Sequence, residues 1–411
     1  MRNDPRRRSF VGADIVVPGR IVSGRTLVVE GDRIVDIAGS APAGGDERVD
    51  CTGATIVPGF IDVHVHGASG VDVLDDEEAV AAVAARLPRW GVTAFCPTSI
   101  ACGPDRLRMF LGGVARARAR RPPGAARVLP AHLESNFINP EYRGAQPVAC
   151  LRTPGRAPSP PPGGGRPEPR ADGSADFSAS DILDEIDRRR PDVGIVTLAP
   201  EIDGGLDLVR RLAAGGLRVS LGHSGATLDE AQAAIQAGAR QATHLFNRMR
   251  PMSHRDPGLA GAVLASDDVA VELICDGHHV HPAMMQVAIA AKGTSRVLAI
   301  TDGTAGSGLP PGSRTRLGGR TIVAGDVARL EDGTMAGSVL TMDRALATLV
   351  TRCGLTLAHA VEMCATTPAR ELNLHGHGVI APGAIADLVV LGPGLDVRAT
   401  WIGGVPAWPA G

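Results

Sequence analysis

The chain has 411 residues, 44% of them hydrophobic, with 42 basic and 44 acidic side chains and a formal charge of −2. At roughly 100–200 residues per domain, that leaves room for one large domain and a small one, or two to three ordinary ones. The balanced charge, with no basic stripe, argues against nucleic acid as the main partner, and no stretch approaches the roughly 20 apolar residues of a membrane helix.

The N-terminus, MRNDPRRRSF, is basic, but no apolar region with a small-residue cleavage site follows it, so it does not read as a secretory signal. Further along, residues 1–57 carry the runs "DIVVPG", "TLVVEGDRIVDIAG" and "ATIVPG", β-branched and bounded by Gly, Asp and Pro. The last 35 residues return to that texture in "GVIAPGAIADLVVLGPG" and "ATWIGGVPA". The expectation is one small β-sandwich domain assembled from both termini, residues 1–58 plus 378–411.

Residues 59–377 alternate differently. Eight short apolar runs end in polar residues: 60–67, 92–99, 127–134, 193–201, 217–224, 241–245, 269–277 and 296–303. Helical stretches such as "EEAVAAVAARLPRW" and "TLDEAQAAIQAG" lie between most of them. Continuous apolar strands alternating with helices predict a parallel sheet covered on both faces, and eight such units fit an α/β fold of the (β/α)8 TIM barrel type. The alternative is a doubly wound open sheet; the positions of the polar residues favour the barrel. Residues 152–175, rich in Pro, Gly and Arg, break the rhythm and predict a disordered insertion after the third strand. It reads as a tolerated surface insertion, or as a lid over a site.

In a barrel the working residues gather at the C-terminal strand ends. Those ends carry His64 and His66 (first strand), Glu134 (third), His223 (fifth), His244 (sixth) and Asp302 (eighth), with His279 just past the seventh. All are transition-metal ligand types. Residues i and i+2 of a strand share a face, so the His64 and His66 imidazoles point together into the barrel mouth. A lone His such as His223 could merely cap a helix. Six such residues at five strand ends are hard to explain as packing, because burying them unpaired costs several kcal/mol. A bridging lysine is excluded: Lys292, the single lysine, lies before the eighth strand. Glu134 is the carboxylate available to bridge. Imidazole and carboxylate suit zinc, iron, manganese or cobalt about equally; the expectation is one or two divalent ions per subunit, zinc before the others. The seven cysteines are odd in number and form no C-x-x-C pair, so they read as thiols of a reducing, cytoplasmic compartment.

The motifs "PGFIDVHVHG", "HLESNFINPEYRGAQP", "VTLAPE", "GHSGAT", "THLFNRM", "HRDPGLAG", "DGHHVHP", "TDGTAGSGLP" and "AGSVLTM", in this order, resemble the amidohydrolase superfamily and, within it, the N-acetylglucosamine-6-phosphate deacetylase family. The resemblance implies that Glu134, His223 and His244 bind the main metal. It implies that His64 and His66, with Glu134, complete a second site used by some members, and that Asp302 is the catalytic acid/base. It implies contacts to a small sugar phosphate from Ala145, Gln146, Asn247, Arg248, Arg255, His279, Met335, Ala336 and Gly337. Arg255 would reach in from a neighbouring subunit, which implies a homodimer.

Three positions depart from the family pattern. Ser135-Asn136 stands for Gly-Pro. Gln146 stands for a His that helps hold the acetamide carbonyl. Arg248 stands for Ala, where it would add a phosphate contact or crowd a different substrate. The expected reaction is metal-dependent hydrolysis of the acetamide of N-acetylglucosamine 6-phosphate to glucosamine 6-phosphate and acetate. The alternatives are the galacto epimer, another amidohydrolase activity such as cyclic-amide hydrolysis or deamination, and a non-catalytic metal-binding protein.

Overall fold

The computed structural model describes residues 7–39, 46–155 and 177–409. The predicted insertion therefore lies, from residue 156 on, outside the described residues. Among the described residues no helix is long and apolar enough to cross a membrane.

The eight apolar runs each form a strand: Phe60–Val65 (β1), Val92–Ser99 (β2), Ala131–Glu134 (β3), Val193–Leu198 (β4), Arg218–Leu221 (β5), Gln241–Ala242 (β6), Ala270–Ile274 (β7) and Val297–Ile300 (β8). Every residue of β1, β2 and β7 is buried, which is why these runs lack the alternation of a half-exposed strand. Consecutive strands pair in parallel from β1 through β8. A parallel bridge between Val65 and Gly303 brings the last strand back to the first. The Asp62 carboxylate supplements it by accepting from the Thr301 amide at 3.3 Å and the Thr301 hydroxyl at 2.6 Å. The expected (β/α)8 barrel forms, and the open sheet does not.

Local chemistry sets the helices between the strands. Thr227 and Glu230 make a reciprocal capping box at the start of helix Leu228–Gln236, as Ser178 and Asp181 do for Ala179–Arg188. "EEAVAAVAARLPRW", expected as one helix, is helical only over Ala79–Arg86 and tightens into a 3-10 turn over Leu87–Trp90, which contains Pro88. The sequence reading also missed an antiparallel sheet after β8, Arg314–Leu317, Arg320–Ala324 and Ala328–Leu330. Its first hairpin turns on Gly318-Gly319, both with positive φ, a recognisable two-residue loop.

Two further sheets lie outside the barrel, the first from N-terminal strands alone and the second from strands of both ends. One orders Arg33–Ala38, Thr26–Glu30, Arg7–Val11 and Glu47–Asp50; the other orders Val405–Trp408, Val397–Ile402, Leu388–Leu391, Thr55–Pro58, Asp14–Val17 and Arg20–Val22. Phe10, Ile15, Leu27, Ile34, Ile56, Leu388 and Trp401 form their shared core. Asp387 joins this region to the barrel: it accepts two bonds from the Arg127 guanidinium, both 3.1 Å, and meets His377 Nδ1 at 3.0 Å. Gly59 links Pro58 to β1. A Cβ there would lie 2.2 Å from the Thr93 hydroxyl, so only glycine lets β1 pack this closely on β2.

Candidate functional site

Three of the predicted site residues follow strands that stop earlier than their apolar runs. β5 ends at Leu221, β6 at Ala242 and β8 at Ile300. Two residues on, His223, His244 and Asp302 adopt φ values of +49°, +29° and +50°. Non-glycine residues rarely take this left-handed region, and such outliers gather where geometry is held for function. The turns aim these three side chains at those of β1 and β3.

The result is two groups that meet at Glu134. His223 Nε2 and His244 Nε2 lie 2.7 and 2.8 Å from Glu134 Oε1 and 3.1 Å from each other. His64 Nε2 and His66 Nε2 are 3.2 Å apart, with Asp302 Oδ1 at 3.4 and 3.2 Å from them. Glu134 Oε2 stands 3.5 Å from His66 Nε2. Both groups are buried and close enough to hold a metal ion.

The hydrogen bonds on the far side of three of the four rings test whether a cation fits. His66 Nδ1 faces the Thr98 carbonyl at 3.0 Å and His223 Nδ1 faces the Tyr142 carbonyl at 2.8 Å. A carbonyl only accepts, so both Nδ1 atoms carry hydrogen and a neutral ring turns its Nε2 lone pair inward. His64 Nδ1 is held in the same way, 2.9 Å from Glu272. Lone pairs converging at such distances repel unless a proton or a cation lies between them. Burial opposes charge on these rings, yet Asp302 and Glu134 hold His66 up to about 9, and Glu134 does the same for His244. Burial likewise pushes the Glu134 and Asp302 carboxyls up, but the facing imidazoles hold both below the usual carboxylate range. The site attracts positive charge, and a nitrogen-and-carboxylate donor set with three of its four outer nitrogens tied down, the buried His244 Nδ1 alone having no partner among the described residues, fits a divalent transition metal.

Sequence reasoning missed the residues behind this cluster. Glu272, fully buried on β7, accepts from His64 Nδ1, from the His244 amide at 3.2 Å and from Gln241 Nε2 at 2.6 Å. Its signal was a lone carboxylate inside "VAVELI". His132, two residues before Glu134 on the same face, meets the Val63 carbonyl and the Thr197 hydroxyl, and burial, partly offset by Glu272, lowers it to about 4. Tyr142, the only tyrosine, was legible only as part of a motif. Lys292 donates to the Val263 and Ser266 carbonyls, in keeping with its exclusion as a bridging ligand.

A cavity opens over the cluster, with His66, Glu134, His223, His244 and Asp302 reaching it and His64 buried beneath. Of the residues expected at a substrate, Ala145, Gln146, Asn247, Arg248, His279, Met335 and Gly337 line its walls. Ala336 does not: it is fully buried, its amide donating to the Ala328 carbonyl at 2.9 Å. Arg255 is exposed and stands off the cavity of its own chain. His279 is steered by Asp276, 2.6 Å from its Nδ1. Arg248, at φ +52°, lies over Gly144, where a Cβ would come within 2.7 Å of the Arg248 Nε.

The amidohydrolase family model matches residues 201–407. The chain is 38% identical over 378 residues to N-acetylglucosamine-6-phosphate deacetylase of Danio rerio, covering 88% of this chain and 87% of that one. It is 35% identical over 351 residues to N-acetylgalactosamine-6-phosphate deacetylase of Escherichia coli O157:H7, covering 85% and 86%. The structure of a D267A mutant of N-acetyl-D-glucosamine-6-phosphate deacetylase from Mycobacterium smegmatis, in complex with N-acetyl-D-glucosamine-6-phosphate, superposes with a TM-score of 0.84 at 31% identity, covering 98% of this chain and all of that one. With the barrel, the paired His and carboxylate groups and these likenesses in place, the chain belongs to the amidohydrolase family, in its N-acetylglucosamine-6-phosphate deacetylase branch.

Proposed function

We propose that the chain hydrolyses the acetamide of N-acetylglucosamine 6-phosphate, releasing acetate and glucosamine 6-phosphate. The observation that carries this reading is the convergence of four imidazoles and two carboxylates beneath one cavity at the C-terminal strand ends, in a chain of this family. Glu134, His223 and His244 hold the main divalent ion, and His64 and His66, with Glu134, hold a second; zinc is the ion we name for this donor set. Such an ion lowers the pKa of water and polarises a carbonyl.

The chain's own groups do the rest. Asp302 takes the proton from the attacking water and returns it to the amine nitrogen as the C–N bond breaks. Asn247, Arg248 and His279, with Arg255 supplied by a second copy of the chain, hold the phosphate through charge-assisted bonds. Ala145, Gln146, Met335 and Gly337 shape the wall around the amide, with Ala336 behind them. We read residues 59–377 as the catalytic barrel, 1–58 plus 378–411 as a β-domain beside it, and the working form as a cytoplasmic homodimer.

The relative from Escherichia coli O157:H7 supports a second reading, deacetylation of N-acetylgalactosamine 6-phosphate. Acetate release by the zinc-loaded protein, run side by side on the two phosphorylated epimers and on unphosphorylated N-acetylglucosamine, decides between them. Preference for N-acetylglucosamine 6-phosphate is the expected result. Preference for the epimer installs the second reading, and indifference to phosphate overturns both.

A further inference from the structure

Two of the departures from the family pattern, Ser135-Asn136 and Gln146, meet in one network. Gln146 is 4% exposed, and its Oε1 accepts from the Ala101 amide at 2.8 Å. A backbone N–H only donates, so this contact decides which end of the side-chain amide is oxygen. The Gln146 NH2 group is thereby turned toward Glu134 and donates to its Oε2. Ala101 is in turn held through its neighbour. Asn136 Nδ2 donates to the Cys102 and Cys150 carbonyls, each at 2.7 Å. Cys102 lies in the segment after β2, and Cys150 ends the 3-10 turn Val148–Cys150 that follows Gln146. One asparagine, two residues past Glu134, thus ties together the two segments that Gln146 spans. Ser135 adds to the brace: its hydroxyl donates to the Thr197 carbonyl on β4 and accepts from the Phe137 amide.

The two oxygens of Glu134 are therefore distinguished. Oε1 faces His223 and His244, while Oε2 is bound by Gln146. We infer that Gln146, braced by Asn136, is a positioning residue that fixes the Glu134 carboxylate so that Oε1 faces the ion held by His223 and His244. This rests on the metal-dependent reading above. It differs from the contact to the acetamide carbonyl that the resemblance implies for this position. It also makes the Asn136 and Gln146 departures one device rather than two.

The test is the zinc dissociation constant, measured by competition with a chromogenic chelator, for the full-length wild type, Q146M, N136A, the double variant and H223A. Methionine nearly matches glutamine in volume but neither donates to Glu134 nor accepts from Ala101. Loss of a partner behind a metal ligand costs about 10- to 100-fold in affinity, which is the weakening expected for Q146M. N136A should weaken zinc binding in the same direction. The double variant should be no worse than Q146M, because both act through one carboxylate. Should Q146M not fold, as judged by thermal unfolding, Q146A is read in the same assay. Zinc affinity of the residue 146 variant within twofold of wild type overturns the positioning role, and independent multiplication of the two losses overturns the brace. A wild type that takes up no zinc, indistinguishable from H223A, overturns the metal reading itself and this inference with it.

Discussion

Glu272 Oε2 lies 2.9 Å from His64 Nδ1, and neither side chain has any solvent exposure. The same oxygen accepts from the His244 amide, so one carboxylate on β7 sets the position of residues on β1 and just after β6. Replacing it with alanine would strand the His64 Nδ1, the His244 amide and the Gln241 Nε2. At about 1–3 kcal/mol for each unsatisfied buried group, E272A should lose at least about 3 kcal/mol in urea unfolding. It should also retain less metal after dialysis. Wild-type stability in E272A would mean that water or a rotated side chain replaces all three bonds.

Asp302 is the group proposed to move the proton. D302N keeps the size and one carbonyl oxygen but cannot act as a base. The expected result is a fall in kcat of about 100- to 10,000-fold, with zinc still bound at the His223 and His244 site by elemental analysis. A variant retaining a tenth of the wild-type rate would move the proton transfer to another group.

Arg248 has no hydrogen-bond or ion-pair partner for its guanidinium among the described residues, and its shaft lies over Gly144. A charge-assisted bond contributes about 1.5–3 kcal/mol, so R248A should raise KM for the sugar phosphate about 10- to 100-fold with little change in kcat. Turnover of the unphosphorylated sugar should be untouched. G144A should show the same defect, because a side chain at φ +57° is strained and its Cβ would displace Arg248. If KM for the phosphorylated substrate is unmoved in R248A, the arginine faces solvent during turnover.

Asp387 carries a pH dependence of stability. Burial pushes its carboxyl up, but His377 and Arg127 outweigh burial and hold it below its ordinary value of 3.8. A depressed folded-state value means that its contribution is complete above 3.8 and is lost as the pH falls through the folded value. D387N should therefore unfold at a lower temperature than wild type at pH 7, and the gap should close only in strongly acid solution. A gap that closes between pH 7 and 5 would place the effect on another group.

Much of this architecture was legible because barrel strands buried on both faces leave an apolar run with a polar end. The His64 and His66 pair was readable from strand periodicity alone, and His223, His244 and Asp302 from their place just past such runs. The left-handed turns that aim those three inward were not, because no residue type demands positive φ there as glycine would. Glu272 escaped notice because a carboxylate in the middle of a strand gains meaning only once the strands at its sides are known. The same holds for Gln146 and Asn136: each looked like a departure when read alone, and their shared work depends on carbonyls from Cys102 and Cys150 that only the fold brings together. The sheet over Arg314–Leu330 was missed although its Gly318-Gly319 turn was in plain view.

Strand Thr55–Pro58 pairs on one side with Leu388–Leu391 and on the other with Asp14–Val17. This sheet is therefore complete only when segments far apart in the chain meet. Without Leu388 and Trp401, Phe10, Ile15 and Ile56 have no complete core to enter. β1, with His64 and His66, begins two residues after Pro58, and the Gly59 amide is anchored on the Asp387 carbonyl. Loss of the segment around Asp387 would thus remove more than a remote edge: it would loosen the root of the strand that carries both histidines.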